Sequence, residues 1–177
     1  MNVFSRTFLP AAREAGLAVS TVSRHLPVLR QCVGPGDAVS LVARCFRPER
    51  PQREDFLLLL TRRRLVVTRQ GWPLSRLRLH LNAELRHLRH VSWTADPRNG
   101  VIELAATAVD GVRERFCTRV PQPHQLWRLD DLFTQVFRGE AAAAARRPVL
   151  AHAVAAETAL AGHRDLVPRG FRTLAPA

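Results

Sequence analysis

The residues best suited to chemistry in this 177-residue chain are its arginines. All 27 basic residues are arginine, set against 15 acids, for a formal net charge of +12. Guanidinium groups grip phosphates and carboxylates through paired N–H donors, so this surplus suits anionic partners. Between Arg44 and His90 there are 12 arginines and 4 acids (Glu49, Glu54, Asp55 and Glu84), a local surplus of 8. Arg62, Arg63 and Arg64 are consecutive, Arg69 and Trp72 follow, and Arg76 and Arg78 alternate with leucines. These seven residues form the expected anion or lipid site, the arginines for phosphate and Trp72 for a lipid interface. The alternative is a solvated basic face. Composition gives a reason for it: tyrosine and lysine are absent, isoleucine occurs only at Ile102, and Ala, Leu, Arg and Pro dominate. A GC-rich coding sequence, as in actinomycetes, imposes that bias.

Catalysis finds little support. There is no Gly-x-Ser-x-Gly, no phosphate loop ending in Gly-Lys-Ser/Thr and no Gly-x-Gly-x-x-Gly. Asp130 and Asp131 are neighbours on a predicted helix and point to different sides. The three cysteines, Cys32, Cys45 and Cys117, are far apart and form no Cys-x-x-Cys pair, which argues against a disulfide framework or structural zinc. They read as small buried side chains in a reducing compartment. Cys117 stands between Arg115 and Arg119, a setting that lowers a thiol's pKa, but no histidine is near it in sequence. Glu84, His87 and His90 share a face only if the segment from His80 to His90 is helical, and a strand scatters them. The expectation is a non-enzyme without metal or cofactor. No segment approaches the ~20 apolar residues that span a bilayer. The first residues lack the apolar core of a secretory signal. Cytoplasmic location follows as the default, with peripheral membrane contact through the basic surface.

Periodicity supplies the elements. Residues 1–35 read as helical, with Phe4, Phe8 and Ala12 on one face and a second helix from Ser20 to Cys32 that Pro27 kinks or breaks. Gly34-Pro35-Gly36 is a boundary. Strands are expected at 39–46, 56–60, 65–68, 76–82 and 90–94, with a four-residue connection over Thr61–Arg64 and a turn or short helical piece over 82–88. In RLRLHLN, Leu77, Leu79 and Leu81 point inward while Arg76, Arg78 and His80 point outward. The last hairpin has a three-residue loop, Val109-Asp110-Gly111. It places Ile102, Leu104 and Ala106 opposite Thr118, Phe116 and Glu114, with Cys117, Arg113, Arg115 and Arg119 outward. Residues 123–138 form an amphipathic helix with Leu126, Leu129, Phe133, Val136 and Phe137 as its stripe and Trp127 also in the core. Residues 139–177 hold 13 alanines in 39 positions and predict a mobile or loosely docked tail, with one helix over about 149–161.

The run LLLLTRRRLVVT (57–68), the Leu88…Trp93 segment, the Asp110-Gly111 hairpin and the closing helix with Trp127 occur in an order that resembles bacterial pleckstrin-homology-like and GRAM-like domains. The resemblance covers about residues 36–138. It implies a mainly β fold with α elements: a small, bent antiparallel barrel capped by a C-terminal helix. It also implies a non-catalytic module that binds lipids or proteins. Residues 1–35 are then a helical extension and 139–177 a tail. A shorter stretch, AREAGLAVSTVSRHL (12–26), is similar to the helix-turn-helix of lactose-repressor-type regulators. That likeness implies an alternative in which Ser20, Thr21, Ser23 and Arg24 lie on a recognition helix and meet DNA. A third alternative is a structural interaction protein with no anion site.

Overall fold

The computed structural model describes residues 2–50, 54–71 and 76–139 of the chain. Trp72 and the tail from residue 140 lie outside the described residues. Helix α1 (Val3–Glu14) begins at Asn2, whose side chain accepts a hydrogen bond from Ser5 N at 2.9 Å. Helix α2 (Val19–Cys32) continues through Pro27 rather than breaking there. Strands β1 (Val39–Cys45), β2 (Glu54–Thr61), β3 (Arg64–Gly71) and β4 (Arg76–Glu84) form one antiparallel meander. A 3-10 turn, Leu85–His87, leads into β5 (Arg89–Asp96), β6 (Val101–Thr107) and β7 (Arg113–Arg119), a second antiparallel sheet. Helix α3 (Pro123–Phe133) follows and ends in a π turn, Thr134–Arg138.

Local chemistry explains both tight hairpins. Leu60 pairs with Leu65, so the β2–β3 connection is only Arg62–Arg63, shorter than the expected four residues. The Thr61 hydroxyl accepts from the backbone N–H of Arg63 (3.1 Å) and Arg64 (2.9 Å), which closes the turn and draws Thr61 and Arg64 into strands. The β6–β7 hairpin has the expected register: Ile102 opposite Thr118, Leu104 opposite Phe116, Ala106 opposite Glu114. Its loop is closed by Ala108 N–H to Val112 O at 2.9 Å, with Gly111 at φ +81°. The left-handed position is costly for any residue with a Cβ, so glycine fits there.

The fold is mixed α/β, with two antiparallel sheets and three α-helices among the described residues. Continuous pairing does not close the sheets into the expected barrel. They meet through one bridge, Phe46 with Cys117, and β4 and β5 share no ladder among the described residues. The turn at Leu85–His87 separates those two strands, and β5 starts irregularly, with His90 at φ +50° and a register shift between Arg89 and Ser92. Between the sheets lies an inner core that includes Phe56, Leu58, Leu60, Leu65, Val67, Leu104 and Phe116. Helix α3 covers it with Leu126, Phe133 and Phe137. Trp93 packs on Phe133 and Phe137 at 6.1 and 6.0 Å and donates Nε1–H to Asp130 at 2.8 Å. Trp127, expected in this core, is instead 56% exposed. It follows Leu126 by one residue, about 100° around the helix, and misses the 126/133/137 stripe.

The N-terminal helices form a third layer. Phe4, Phe8 and Ala12 of α1 and Leu29 of α2 bury against Val42, Leu57, Leu59 and Val66 on the outer face of the first sheet. All described residues fall in one compact unit, so the expected boundary near residue 35 separates layers of that unit. Strand β2 thus alternates between two cores, Phe56, Leu58 and Leu60 inward and Leu57 and Leu59 outward. A strand covered on both faces reads as a continuous apolar run. Removing the Phe8 ring, which is 0% exposed, therefore costs about 3–5 kcal/mol. Denaturant unfolding of F8A measures that loss, and an unchanged midpoint contradicts the three-layer packing.

His25 of α2 is buried in the same layer, with Nδ1 2.7 Å from Thr68 Oγ1. The Thr68 hydroxyl also reaches Leu57 O at 3.4 Å, which ties the pair to β2. Burial lowers the His25 pKa below its ordinary 6.5, Arg24 and Arg44 reinforce the shift, and Asp55 and Gln70 oppose it. The folded state thus binds this proton more weakly than the unfolded chain does. The stability it supports is complete above pH 6.5 and declines as pH falls below that value. Urea midpoints between about pH 7.5 and about pH 5.5 should drop for the native chain and drop less for H25N.

Candidate functional site

The arginines expected to share one surface are held at opposite ends of the first sheet. Strand β3 has 8 residues, which sets its ends about 23 Å apart at ~3.3 Å per residue. Arg62, Arg63 and Arg64 stand at one end. Arg62 is exposed. Arg63 is 82% exposed, and its Nε is 3.9 Å from Asp37 Oδ1. Arg64 bonds Asn82 Oδ1 at 3.1 Å and Glu84 Oε1 at 2.9 Å. Glu84 also accepts from Arg86 Nε at 2.6 Å, a bond that holds its carboxyl below the usual range, with Arg64 and His87 adding to the effect. Ion pairs near the surface contribute little to stability. Arg64 is thus occupied at the start of β3.

Arg69, Arg76 and Arg78 stand toward the other end of β3 and β4. Arg69 pairs with Phe56 on one side and Arg78 on the other. Directly opposed residues share a face, and Phe56 belongs to the inner core, so both arginines extend the inner face toward this end. Arg76, opposite Gly71, continues the row.

A bulge in β4 alters the expected alternation. Val67 pairs with Leu81 but the next residue, Thr68, pairs with Leu79, which leaves His80 as the extra residue. Leu79, expected inward, faces out and is 47% exposed. His80, expected outward, points inward, with its ring 5.2 Å from Phe56 and 5.9 Å from Phe116. Its Nε2 lies 3.2 Å from Glu114 Oε2. Glu114 is 8% exposed and also accepts from Arg47 Nη2, which arrives from the β1–β2 connection. Arg47 Nε is buried without a hydrogen-bond partner. Two donors, one from β4 and one from the β1–β2 connection, thus converge on one carboxylate of β7. The sequence pattern had placed Glu114 on an otherwise apolar strand face, and a lone acid there was the available signal. Arg47 lay in a polar loop and gave none.

The histidines considered as a metal set are dispersed: His80 faces the core, while His87 and His90 are exposed. Cys45 and Cys117 are both buried. Cys117 lies on the outer side of β7, opposite the core face, and Phe46 beyond it carries the Arg119 guanidinium at 5.3 Å from its ring. The flanking arginines do not lower its pKa. Burial and the neighbouring Glu103, whose Oε2 is 3.8 Å from the thiol, push it up to about 11, outweighing Arg115. Burial also raises Cys45 strongly.

On α2, Ser20, Ser23 and Arg24 are exposed. Thr21 accepts from Arg44 Nη2 of β1 at 3.2 Å, so one residue of the expected DNA-reading set is turned toward the sheet. Comparison with protein-family models gives no match, and comparison with curated proteins gives none either.

The thiol environments predict an order of reactivity. At about pH 8, iodoacetamide should label Cys32, which is partly exposed, before Cys117, and Cys45 only through unfolding. Rapid labelling of Cys45 in the native chain, read by mass spectrometry, contradicts the packing of β1 on β2.

Proposed function

We propose that the chain is a non-catalytic binding module of pleckstrin-homology-like arrangement, which presents a basic end to an anionic membrane surface. Four strands, three strands and a covering helix, in that order, support the architectural part of the reading. The observation that carries the functional part is the placement of Arg76 and Arg78 on one face of β4, with Arg47 tied to the same strand through Glu114 and His80. Guanidinium groups suit phosphate, and two of them two residues apart on one strand face can grip one anion together. Arg62 and Arg63, about 23 Å away along β3, contribute to the overall field and not to this contact. An acidic protein partner would use the same arginines and shows itself by binding that vesicles cannot compete away.

One observation keeps duplex DNA as a second reading: Ser20, Ser23 and Arg24 lie exposed on α2 while His25 and Leu29 anchor its other side.

Co-sedimentation with phosphatidylglycerol and phosphatidylcholine vesicles across a salt series tests the main reading. Binding should require the anionic lipid, weaken as salt rises, and fall about tenfold or more in R76Q/R78Q. R62Q/R63Q should bind nearly as the native chain does. Equal losses in both double variants would point to diffuse charge, and binding abolished by duplex DNA and by R24Q would favour α2.

A further inference from the structure

Glu114 breaks the pattern of its strand. Its neighbours on the inner face of β7, Phe116 and Thr118, are buried opposite Leu104 and Ile102, and Ala106 opposite Glu114 is itself buried. An apolar residue would satisfy that position. Replacing a buried ion pair with apolar groups is commonly neutral or stabilising, so the fold does not require this carboxylate. Reaching it takes further local costs. Strand β4 accepts a bulge that swings His80 inward, and Arg47 buries its Nε–H without a partner. Departures from local rules of this kind gather at functional sites.

We infer that Glu114 is an internal counter-anion that occupies the place of a ligand's phosphate group, holding Arg47 and His80 in a binding arrangement and keeping that arrangement closed to anions. This rests on the anion-binding reading above and adds its regulation. Glu114 Oε2 receives both Arg47 Nη2 and His80 Nε2, the converging donors that a phosphate oxygen takes. Phe56 and Phe116 pack edge-on against the imidazole and fix its plane. Arg78, two residues before His80 on the same strand, stands on the same face about 7 Å along it. An incoming phosphate, from a lipid headgroup or a free ester, must displace the carboxylate, and Arg47 Nε–H then offers an uncommitted donor. Affinity in the native chain is therefore held below what its arginines could give.

Titration calorimetry of the full chain with inorganic phosphate tests this, with E114Q as the principal variant. The glutamine keeps the shape and removes the charge. Phosphate affinity should rise about tenfold in E114Q, the scale of one charge-assisted hydrogen bond released. E49Q removes an acid that is exposed and paired with Arg115, so it controls for general charge and should change affinity about twofold or less. The gain should vanish in R47Q/E114Q. If E114Q fails to fold, E114D, whose shorter side chain withdraws from Arg47, should show a smaller gain. Equal phosphate affinity in native chain and folded E114Q, an equal gain in E49Q, or a gain that survives loss of Arg47 overturns the inference. Vesicle binding separates the two readings. Native vesicle binding with no E114Q effect leaves the membrane reading standing without this gate. An E114Q gain for free phosphate with no vesicle binding by either protein supports the gate and assigns it to a soluble ester.

Discussion

Strand β2 is the constraint on which the rest of the fold depends. Its five consecutive apolar residues, Phe56 to Leu60, cannot all face one side of a pleated strand. Each face must be covered separately. Phe56, Leu58 and Leu60 meet the second sheet and α3, while Leu57 and Leu59 meet α1 and α2. Each such side chain contributes roughly 1.5–3 kcal/mol on burial, so neither cover is dispensable. The N-terminal helices therefore belong to the domain in the same sense as the second sheet does.

This placement changes what the helices can offer a partner. A helix pair that reads DNA or lies on a membrane needs a free apolar or basic face. Here the apolar face of α1, Phe4, Phe8 and Ala12, is spent on the sheet. What remains outward on α2 is mixed, with Ser20, Ser23 and Arg24 beside an exposed Val19. The basic end of the sandwich is separate from it, built by strand ends and connections.

Legibility followed the range of the interactions involved. The β6–β7 register was readable because its alternation has a single consistent buried face and its loop carries Gly111. The α1 stripe was readable for the same reason, since its helical spacing is uninterrupted. The inward turn of His80 was not, because a bulge arises from how β4 meets β3 and leaves no mark in β4 alone. Trp127 misled because size suggests burial, whereas its angular position on α3 excludes it. The splitting of the arginines into two ends was implicit in strand length: eight residues of β3 cannot leave Arg64 and Arg69 beside one another once they are extended. The Arg47–Glu114–His80 cluster joins residues up to 67 positions apart, beyond the reach of any local pattern.

The two faces of β3 connect the helical layer to the cluster around Glu114. Thr68 and Arg69 are consecutive, so one points to the helices and the other to the inner face. Thr68 is also the residue at which the register shifts, and it sits opposite Leu79, next to the bulged His80. The bond from His25 to Thr68 therefore anchors the sheet at the point where the bulge begins. A slip of β4 by one residue would return His80 to the outside and carry Leu79 inward, against Phe56 and Phe116. Packing α2 on this part of the sheet thus constrains the orientation of the imidazole that reaches Glu114, although helix and carboxylate lie on opposite sides of the strand.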